Sequence, residues 1–255
     1  MGNRYESLAG ASVLITGAAR GLGRALAQAF GEQGARLALV DVDGPGLEAT
    51  VAQLQMDQHR VVSLPVDLFE VAVAERVVDE VMARFGQLDV LVNNAAVVDG
   101  VPIEAVTPEL FDQVIGVNLR APLFLSRAAM RRMAARGGGR IVNVASMAGR
   151  TGGAYPTVIC YAASKGGLLA LTRSLAKVGA PNNVLVNAVL PSNIDSAMLW
   201  GPLERANVEA VLAAVPLGRT AQPAEVAELV LWLASSASSY VTGASWEVNG
   251  GWFMS

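Results

Sequence analysis

Ser12-Val13-Leu14-Ile15-Thr16-Gly17-Ala18-Ala19-Arg20-Gly21-Leu22-Gly23 joins a short apolar run to three glycines, and Leu22 to Phe30 then repeats apolar residues at helical spacing before Gly31 to Gly34. That reads as strand, turn and helix. Glycine lets the backbone approach a pyrophosphate, and a helix N-terminus offers it unpaired amides and a partial positive charge. The spacing is Gly-x-x-x-Gly-x-Gly instead of the commoner Gly-x-Gly-x-x-Gly. A glycine-rich turn can be simply a turn, but between a strand and a helix it makes Gly17, Arg20, Gly21, Leu22 and Gly23 a candidate phosphate cradle.

The alternation continues along the chain. Arg36 to Asp41 reads as a strand, Gly46 to Met56 as a helix, and Val61 to Asp67 as a strand that tolerates Pro65 only near an end. Val71 to Phe85 is amphipathic, Leu88 to Asn93 is a buried strand, and Pro108 to Arg136 is a long helix interrupted near Gly116 and Pro122. Gly139 to Ser146 is the next strand, followed by a helix from Tyr161 to about Val178, a strand from Val184 to Leu190 closed by Pro191, a helix from Glu225 to Ala234 and a strand from Ser245 to Asn249. Parallel strands need crossover connections, so this order specifies an α/β fold of about seven strands with helices on both faces. No repeat or linker divides the 255 residues, and one domain is expected.

Asp41 ends the second strand eighteen positions after Gly23, about where an acidic residue meets an adenosine ribose. Its carboxylate can accept from a 2′-hydroxyl and repels a 2′-phosphate. Val42-Asp43-Gly44-Pro45-Gly46 brings no Lys or Arg, so NAD is expected over NADP, with Arg20 as the one opposing feature.

The chemistry is read at Tyr161-Ala162-Ala163-Ser164-Lys165. On a helix, residues four apart share a face, so a phenol lies beside an ammonium. A free tyrosine has a pKa of about 10 and a neighbouring cation favours its phenolate, so Lys165 is expected to make Tyr161 a usable base. Tyr155, the nearby rival phenol, has Ile159 four positions on and fails this pairing.

Competing chemistries are scarce. His59, the single histidine, falls in a polar connection and reads as a solvated loop residue; Cys160, the single cysteine, points about 100 degrees away from Tyr161 and reads as core packing. One cysteine allows no intrachain disulfide, which makes a reducing cytoplasm the expected compartment. A net charge of -3 with scattered cations argues against nucleic acid, and no apolar run is long enough for a membrane span or signal segment.

Taken together, Thr16 to Gly23, Asn93-Asn94-Ala95, Asn118, Ser146, Tyr161-x-x-x-Lys165 and Val248-Asn249-Gly250-Gly251 resemble the short-chain dehydrogenase/reductase family in its compact, single-domain, Rossmann-type doubly wound form, over essentially the whole chain. The resemblance implies a catalytic set of Asn118, Ser146, Tyr161 and Lys165. Ser146 holds the substrate oxygen, Tyr161 moves the alcohol proton, Lys165 also holds the nicotinamide ribose, and the Asn118 backbone holds a relay water. It further implies cofactor contacts from Asp67, which ends the third strand, and from Leu68, from Asn94 and Ala95 near the adenosine side, and from Pro191, Ile194 and Ser196 near the carboxamide. Ala96 replaces the usual glycine after Asn-Asn-Ala, Ser192 replaces the glycine after Pro191, and the gap from Ser146 to Tyr161 is slightly long for the family, so Arg150 to Thr157 is expected to shape the pocket mouth differently.

By the same resemblance, residues 193–215 form a substrate lid, made apolar by Met198, Leu199, Trp200, Leu203, Val211 and Leu212. With no basic cluster in view, the expected substrate is a neutral secondary alcohol or ketone. A 3-oxoacyl-thioester (acyl carrier protein) reductase using NADPH is the alternative, suggested by Pro216-Leu217-Gly218-Arg219 to Gly251, and a non-catalytic dinucleotide sensor is a remote one. The helices that carry Asn118 and Tyr161 have large apolar faces, which in the family pair subunits; a homotetramer is expected.

Overall fold

β1 (Ser12–Thr16) is buried at every residue because it lies in the middle of a sheet covered on both sides. The structure is a computed structural model that describes residues 5–70, 72–196, 199 and 212–254. Around β1 lie β2 (Arg36–Asp41), β3 (Val61–Pro65), β4 (Val90–Asn93), β5 (Gly139–Val144), β6 (Val184–Pro191) and β7 (Ser245–Val248). All seven are parallel, in the order β3-β2-β1-β4-β5-β6-β7. Strand order reverses between β1 and β4, and in such sheets ligands bind beyond the carboxyl ends of the strands at that reversal.

The side-chain alternation of the strands separates two cores. Val13, Ile15, Leu37, Leu39, Val90 and Val92 face one side, where α1 (Gly21–Glu32), α2 (Gly44–Leu54) and α8 (Pro223–Ala234) supply Leu26, Phe30, Leu47 and Val230. Leu14, Ala38, Val40, Leu91 and Ile141 face the other, against α3 (Val73–Phe85), α5 (Ala121–Ala134) and α7 (Ile159–Gly179). Burying each such Leu, Val or Phe contributes about 1.5–3 kcal/mol, so a polar residue on either stripe would open a core of the molecule.

Helix ends follow their local chemistry. Asp43 caps α2 by accepting from Gly46 N at 2.9 Å, so the helix starts two residues before the expected Gly46. Gln55 adopts φ 48° and ends it at Leu54, before the expected Met56. Gly86, at φ 73°, stops α3. The expected start of that helix, Val71, lies outside the described residues; α3 begins at Val73.

The long helix expected from Pro108 is broken as its sequence suggests. α4 (Pro108–Ile115) passes into a π-helical turn, Gly116–Arg120, before α5 resumes with Pro122 in its first turn. A π turn leaves backbone groups out of the ordinary ladder, often at a functional site. Besides several short 3-10 turns, the sequence reading did not include α6 (Ala148–Thr151), a single turn that begins two residues after Ser146.

Candidate active site

A cleft of about 1010 Å³ runs across the carboxyl ends of the strands, from the loop after β1 and the end of β2 to the first turns of α7. This is at the top of the range for ligand pockets, about 300–1,000 Å³, and suits a large ligand together with a small one. Among the expected site residues, Gly17, Arg20, Gly21, Leu22, Gly23, Asp41, Asp67, Leu68, Asn94, Ala95, Ser146, Tyr161, Lys165, Pro191, Ile194 and Ser196 all line it; Asn118 does not.

The glycines have separate reasons to be glycine. A Cβ on Gly23 would sit 1.8 Å from the Gly17 carbonyl oxygen, and one on Gly17 would sit 2.7 Å from Ala95 Cα. Gly21 adopts φ +54°, and a Cβ there would meet only Ser196 Cβ, at 3.8 Å. Two glycines therefore pack the turn and the third leaves its cleft side bare, at the N-terminus of α1. These residues fit a pyrophosphate.

Asp41 is held by two backbone amides, Ala19 N to Oδ2 at 3.0 Å and Asp43 N to Oδ1 at 3.1 Å. Each oxygen has a second lone pair and the residue lines the cleft, so the carboxylate can accept from ribose hydroxyls. Next to it Val42 is 72% exposed and carries no charge. Asp67 lies two residues beyond β3 instead of ending it, and its Oδ1 accepts from Phe69 N at 2.9 Å. Asn94 does more than border the adenosine side: its Nδ2 donates to Thr16 O at 2.9 Å and Gly17 O at 3.0 Å, bracing the glycine turn from β4.

At the other end, Ser146 Oγ accepts from Ala148 N at 3.1 Å, which turns the chain into α6. α6 lies against α7 because Gly149 has no side chain; a Cβ there would meet the Lys165 carbonyl carbon at 2.7 Å. Lys165 is 2% exposed, donates from Nζ to Val144 O at 2.7 Å, and stands over the Tyr161 ring with Nζ 5.6 Å from its centroid.

The electrostatics correct one expectation. Burial raises the Tyr161 phenol above its ordinary value, and a hydrogen bond with Ser146, not the charge of Lys165, opposes the rise. Burial also pushes the Lys165 ammonium down to about 7, so near neutral pH its charge is itself in balance. Spacing alone placed the pair together but could not register how deeply each is set, with Lys165 buried and Tyr161 half-buried at the cleft.

Asn118 is fully buried, and its side chain is a clamp: Val97 N donates to Oδ1 at 2.9 Å, while Nδ2 donates to Val97 O at 2.8 Å and to Ser164 Oγ at 3.1 Å. It sits in the π turn, where an unladdered backbone is available. Ile194 forms an isolated bridge with Ala221, and Pro191 O accepts from Met147 N at 3.0 Å. Of the expected lid, Leu199 lines the cleft; Met198, Trp200, Leu203 and Val211 lie outside the described residues. Gly153, Ala154, Tyr155 and Thr157 line the mouth, as the long stretch before Tyr161 suggests.

Sequence reasoning passed over Asp99. Its carboxylate is 92% shielded and accepts from Cys160 N at 2.8 Å and Tyr161 N at 3.1 Å. The signal available was an acidic residue in an otherwise apolar stretch, Ala95 to Val98, with no local partner. His59 is exposed in a 3-10 turn away from the cleft, and Cys160 is buried with its thiol raised by burial and by Asp99. Among the described residues no group of acidic, His and Cys side chains could hold a metal ion, and no helix is long and apolar enough to cross a membrane.

The chain is similar to known proteins over most of its length. The family model described as enoyl-(acyl carrier protein) reductase matches residues 17–253. The chain is 36% identical to galactitol 2-dehydrogenase of Agrobacterium fabrum, over 95% of this chain and 97% of the relative. It is 37% identical to a 3-oxoacyl-[acyl-carrier-protein] reductase of Pseudomonas aeruginosa, over 98% and 100%. A crystal structure of a short-chain dehydrogenase/reductase, glucose/ribitol dehydrogenase, from Brucella melitensis superposes with a TM-score of 0.90 at 32% identity, over 98% of this chain and 99% of that one.

Proposed function

Because the chain belongs to the short-chain dehydrogenase/reductase family of oxidoreductases, we propose that it interconverts a neutral secondary alcohol and its ketone with NAD, and that a polyol or cyclic alcohol is the substrate. The observation that carries this reading is a single cleft that joins the Gly17–Gly23 cradle and Asp41 to Ser146, Tyr161 and Lys165. Gly21, Asp41, Asp67 and Ile194 would hold the dinucleotide, with Leu68, Ala95, Pro191 and Ser196 shaping its bed. When bound, its nicotinamide supplies the hydride acceptor or donor.

The remaining work falls to the chain. The Ser146 hydroxyl holds the substrate oxygen and, through its bond to Tyr161, favours the phenolate. Tyr161 takes the alcohol proton in oxidation and returns it in reduction. Lys165 is in balance between charged and neutral near pH 7, which suits it to pass that proton on toward the Asn118 turn. Of the described side chains lining the cleft only Arg20 and Lys165 are basic, and Tyr155, Thr157 and Gln113 add neutral hydrogen-bonding groups. Among the described residues at the catalytic end Lys165 is the one cation, and it is buried and bonded to Val144 O, so a polyol finds more partners there than a phosphate or carboxylate.

The 3-oxoacyl-thioester reductase reading is favoured by the Pseudomonas relative, but two observations weigh against it. Asp41 repels the 2′-phosphate of NADPH. Arg219, part of the carboxyl-terminal pattern that suggests the thioester enzymes, is paired through both terminal nitrogens with Glu225 at 2.7 Å, and Glu225 Oε2 accepts from Gln222 N at 2.8 Å as the cap of α8. The intact Ser146, Tyr161 and Lys165 set argues against a sensor without turnover. We also propose a cytoplasmic homotetramer, on the family's habit; light scattering that reports only the 26.5 kDa chain would remove that part.

A steady-state screen of hexitols, tetritols, cyclic secondary alcohols and a 3-oxoacyl thioester, each with NAD(H) and NADP(H), tests the reading. The expected result is NAD-dependent oxidation of at least one alcohol. Turnover confined to the thioester with NADPH would overturn it.

A further inference from the structure

The catalytic helix begins without a cap of its own. Val158 precedes α7 and has no polar side chain, and the first bond of the ladder is Ala162 N to Val158 O at 2.8 Å. The amides of Ile159, Cys160 and Tyr161 therefore come before any intrahelical acceptor. Two of them are met by a carboxylate 61 and 62 positions upstream: Asp99 Oδ2 takes Cys160 N at 2.8 Å and Asp99 Oδ1 takes Tyr161 N at 3.1 Å. Among the described residues these are its partners, and no cation is paired with it. A buried carboxylate without a counter-ion is costly unless hydrogen bonds and a helix N-terminus offset the charge, and both are supplied here.

We propose that Asp99 is the positioning residue of the catalytic helix, fixing the backbone of Tyr161 and with it the point where the phenol enters the cleft. Ordinary caps come from the residue just before the helix and move with it. This one comes from the loop after β4, whose Val97, Val98 and Gly100 line the cleft. The same loop is fastened a second time, by the Asn118 amide that holds both backbone groups of Val97 and reaches Ser164 on α7. Residues 97 and 99 on one element are thus tied to 161 and 164 on the other, so that a cleft wall and the phenol keep one spacing. The inference rests on Tyr161 being the proton-transfer group; the cap itself does not depend on that reading.

The test compares wild type, Asp99→Asn and Asp99→Ala. An amide offers one acceptor where the carboxylate offers two, so the variants form a ladder, and Asp99→Asn remains informative should Asp99→Ala fold poorly. Hydrogen exchange in the protein without ligands is the first readout. Exchange at the Cys160 and Tyr161 amides should rise at least about tenfold in Asp99→Ala and less in Asp99→Asn, while the middle of α7 is unchanged. Steady-state kinetics is the second. A misplacement near 1 Å can cost about 100-fold, so kcat should fall about 10- to 100-fold in the same order, with the alcohol KM and the NADH Kd within about threefold. Unchanged exchange would overturn the cap. Raised exchange with unchanged kcat would leave a stabilising cap and overturn the positioning role. Should wild type oxidise no alcohol, the proposed function fails while the exchange result still decides the cap.

Discussion

Lys165 Nζ stands 5.6 Å from the centroid of the Tyr161 ring and donates to the Val144 carbonyl at 2.7 Å, so a buried ammonium and a half-buried phenol four residues apart meet at one site. Burial moves them oppositely, the phenol up and the ammonium down to about 7. Burial thus disfavours charge on both groups, and this gives the pair a stability signature of its own.

Lys165→Met should reveal that signature. A lysine whose folded pKa is about 7 binds fewer protons in the folded than in the unfolded chain between pH 7 and about 10. Its cost to stability is thus fully present below pH 7 and fades as pH rises toward the unfolded value. The pH-dependent difference between variant and wild type should shrink by up to about 4 kcal/mol from pH 7 to pH 10. Denaturant unfolding at several pH values checks this; a gap that does not change with pH would show that Lys165 is not penalised by burial.

Ser146→Ala removes the hydrogen bond that opposes the rise of the Tyr161 pKa. Oxidation needs the phenolate, so the acidic limb of the kcat profile should move to higher pH and turnover at pH 7 should fall by about 100-fold. A limb that moves to lower pH would contradict the assignment.

Tyr161→Phe keeps the ring over which Lys165 stands and deletes the group that moves the proton. The kcat should fall by at least about 1,000-fold while NADH binding, followed by fluorescence, stays within about twofold. Comparable loss of both would mean that the phenol serves the dinucleotide, not the proton.

Cofactor choice is expected to reside in Asp41 and its exposed neighbour Val42. Hydrogen bonds to a charged group are worth about 1.5–3 kcal/mol, so Asp41→Ala should weaken NADH binding by about 10- to 100-fold. Adding Val42→Arg in that background gives a 2′-phosphate a cation and should bring NADPH level with or ahead of NADH. Titration of both cofactors decides it; tighter NADPH than NADH binding by the wild type would reverse the reading of Asp41.

Much of this was legible in the chain because it rests on short-range pattern. The alternation of strands and helices and the interruption near Gly116 and Pro122 follow from periodicity and breakers, and the convergence of Gly17, Asp41, Ser146 and Tyr161 on one cleft follows from strand ends together with the family resemblance; that the interruption is a π turn did not show in the sequence. What stayed hidden depends on contacts across long sequence separation. Asp99 reaches a helix 61 residues on, Gly149 lets a turn lie on Lys165, and Asn94 braces Gly17 from 77 positions away. The Tyr161 and Lys165 pKa directions were hidden for the same reason, since depth of burial is a property of the assembled core and not of an i, i+4 spacing.

The glycine turn permits a sharper separation of packing from binding. A methyl at Gly23 would fall 1.8 Å from the Gly17 carbonyl oxygen, so Gly23→Ala must move backbone; overpacking of this kind costs about 1–3 kcal/mol. At about 2–4 °C per kcal/mol for a chain of this size, Tm should fall by several degrees and NADH affinity by at least about tenfold. Gly21→Ala meets open space, with Ser196 Cβ at 3.8 Å, and bears only the left-handed backbone cost of about 1–2 kcal/mol. Its methyl points to the bare side of the cradle, so NADH affinity should fall about as far as in Gly23→Ala for a smaller loss of Tm. Should Gly21→Ala bind NADH as wild type does, the pyrophosphate does not lie against Gly21, and the cradle must be sought elsewhere along the cleft.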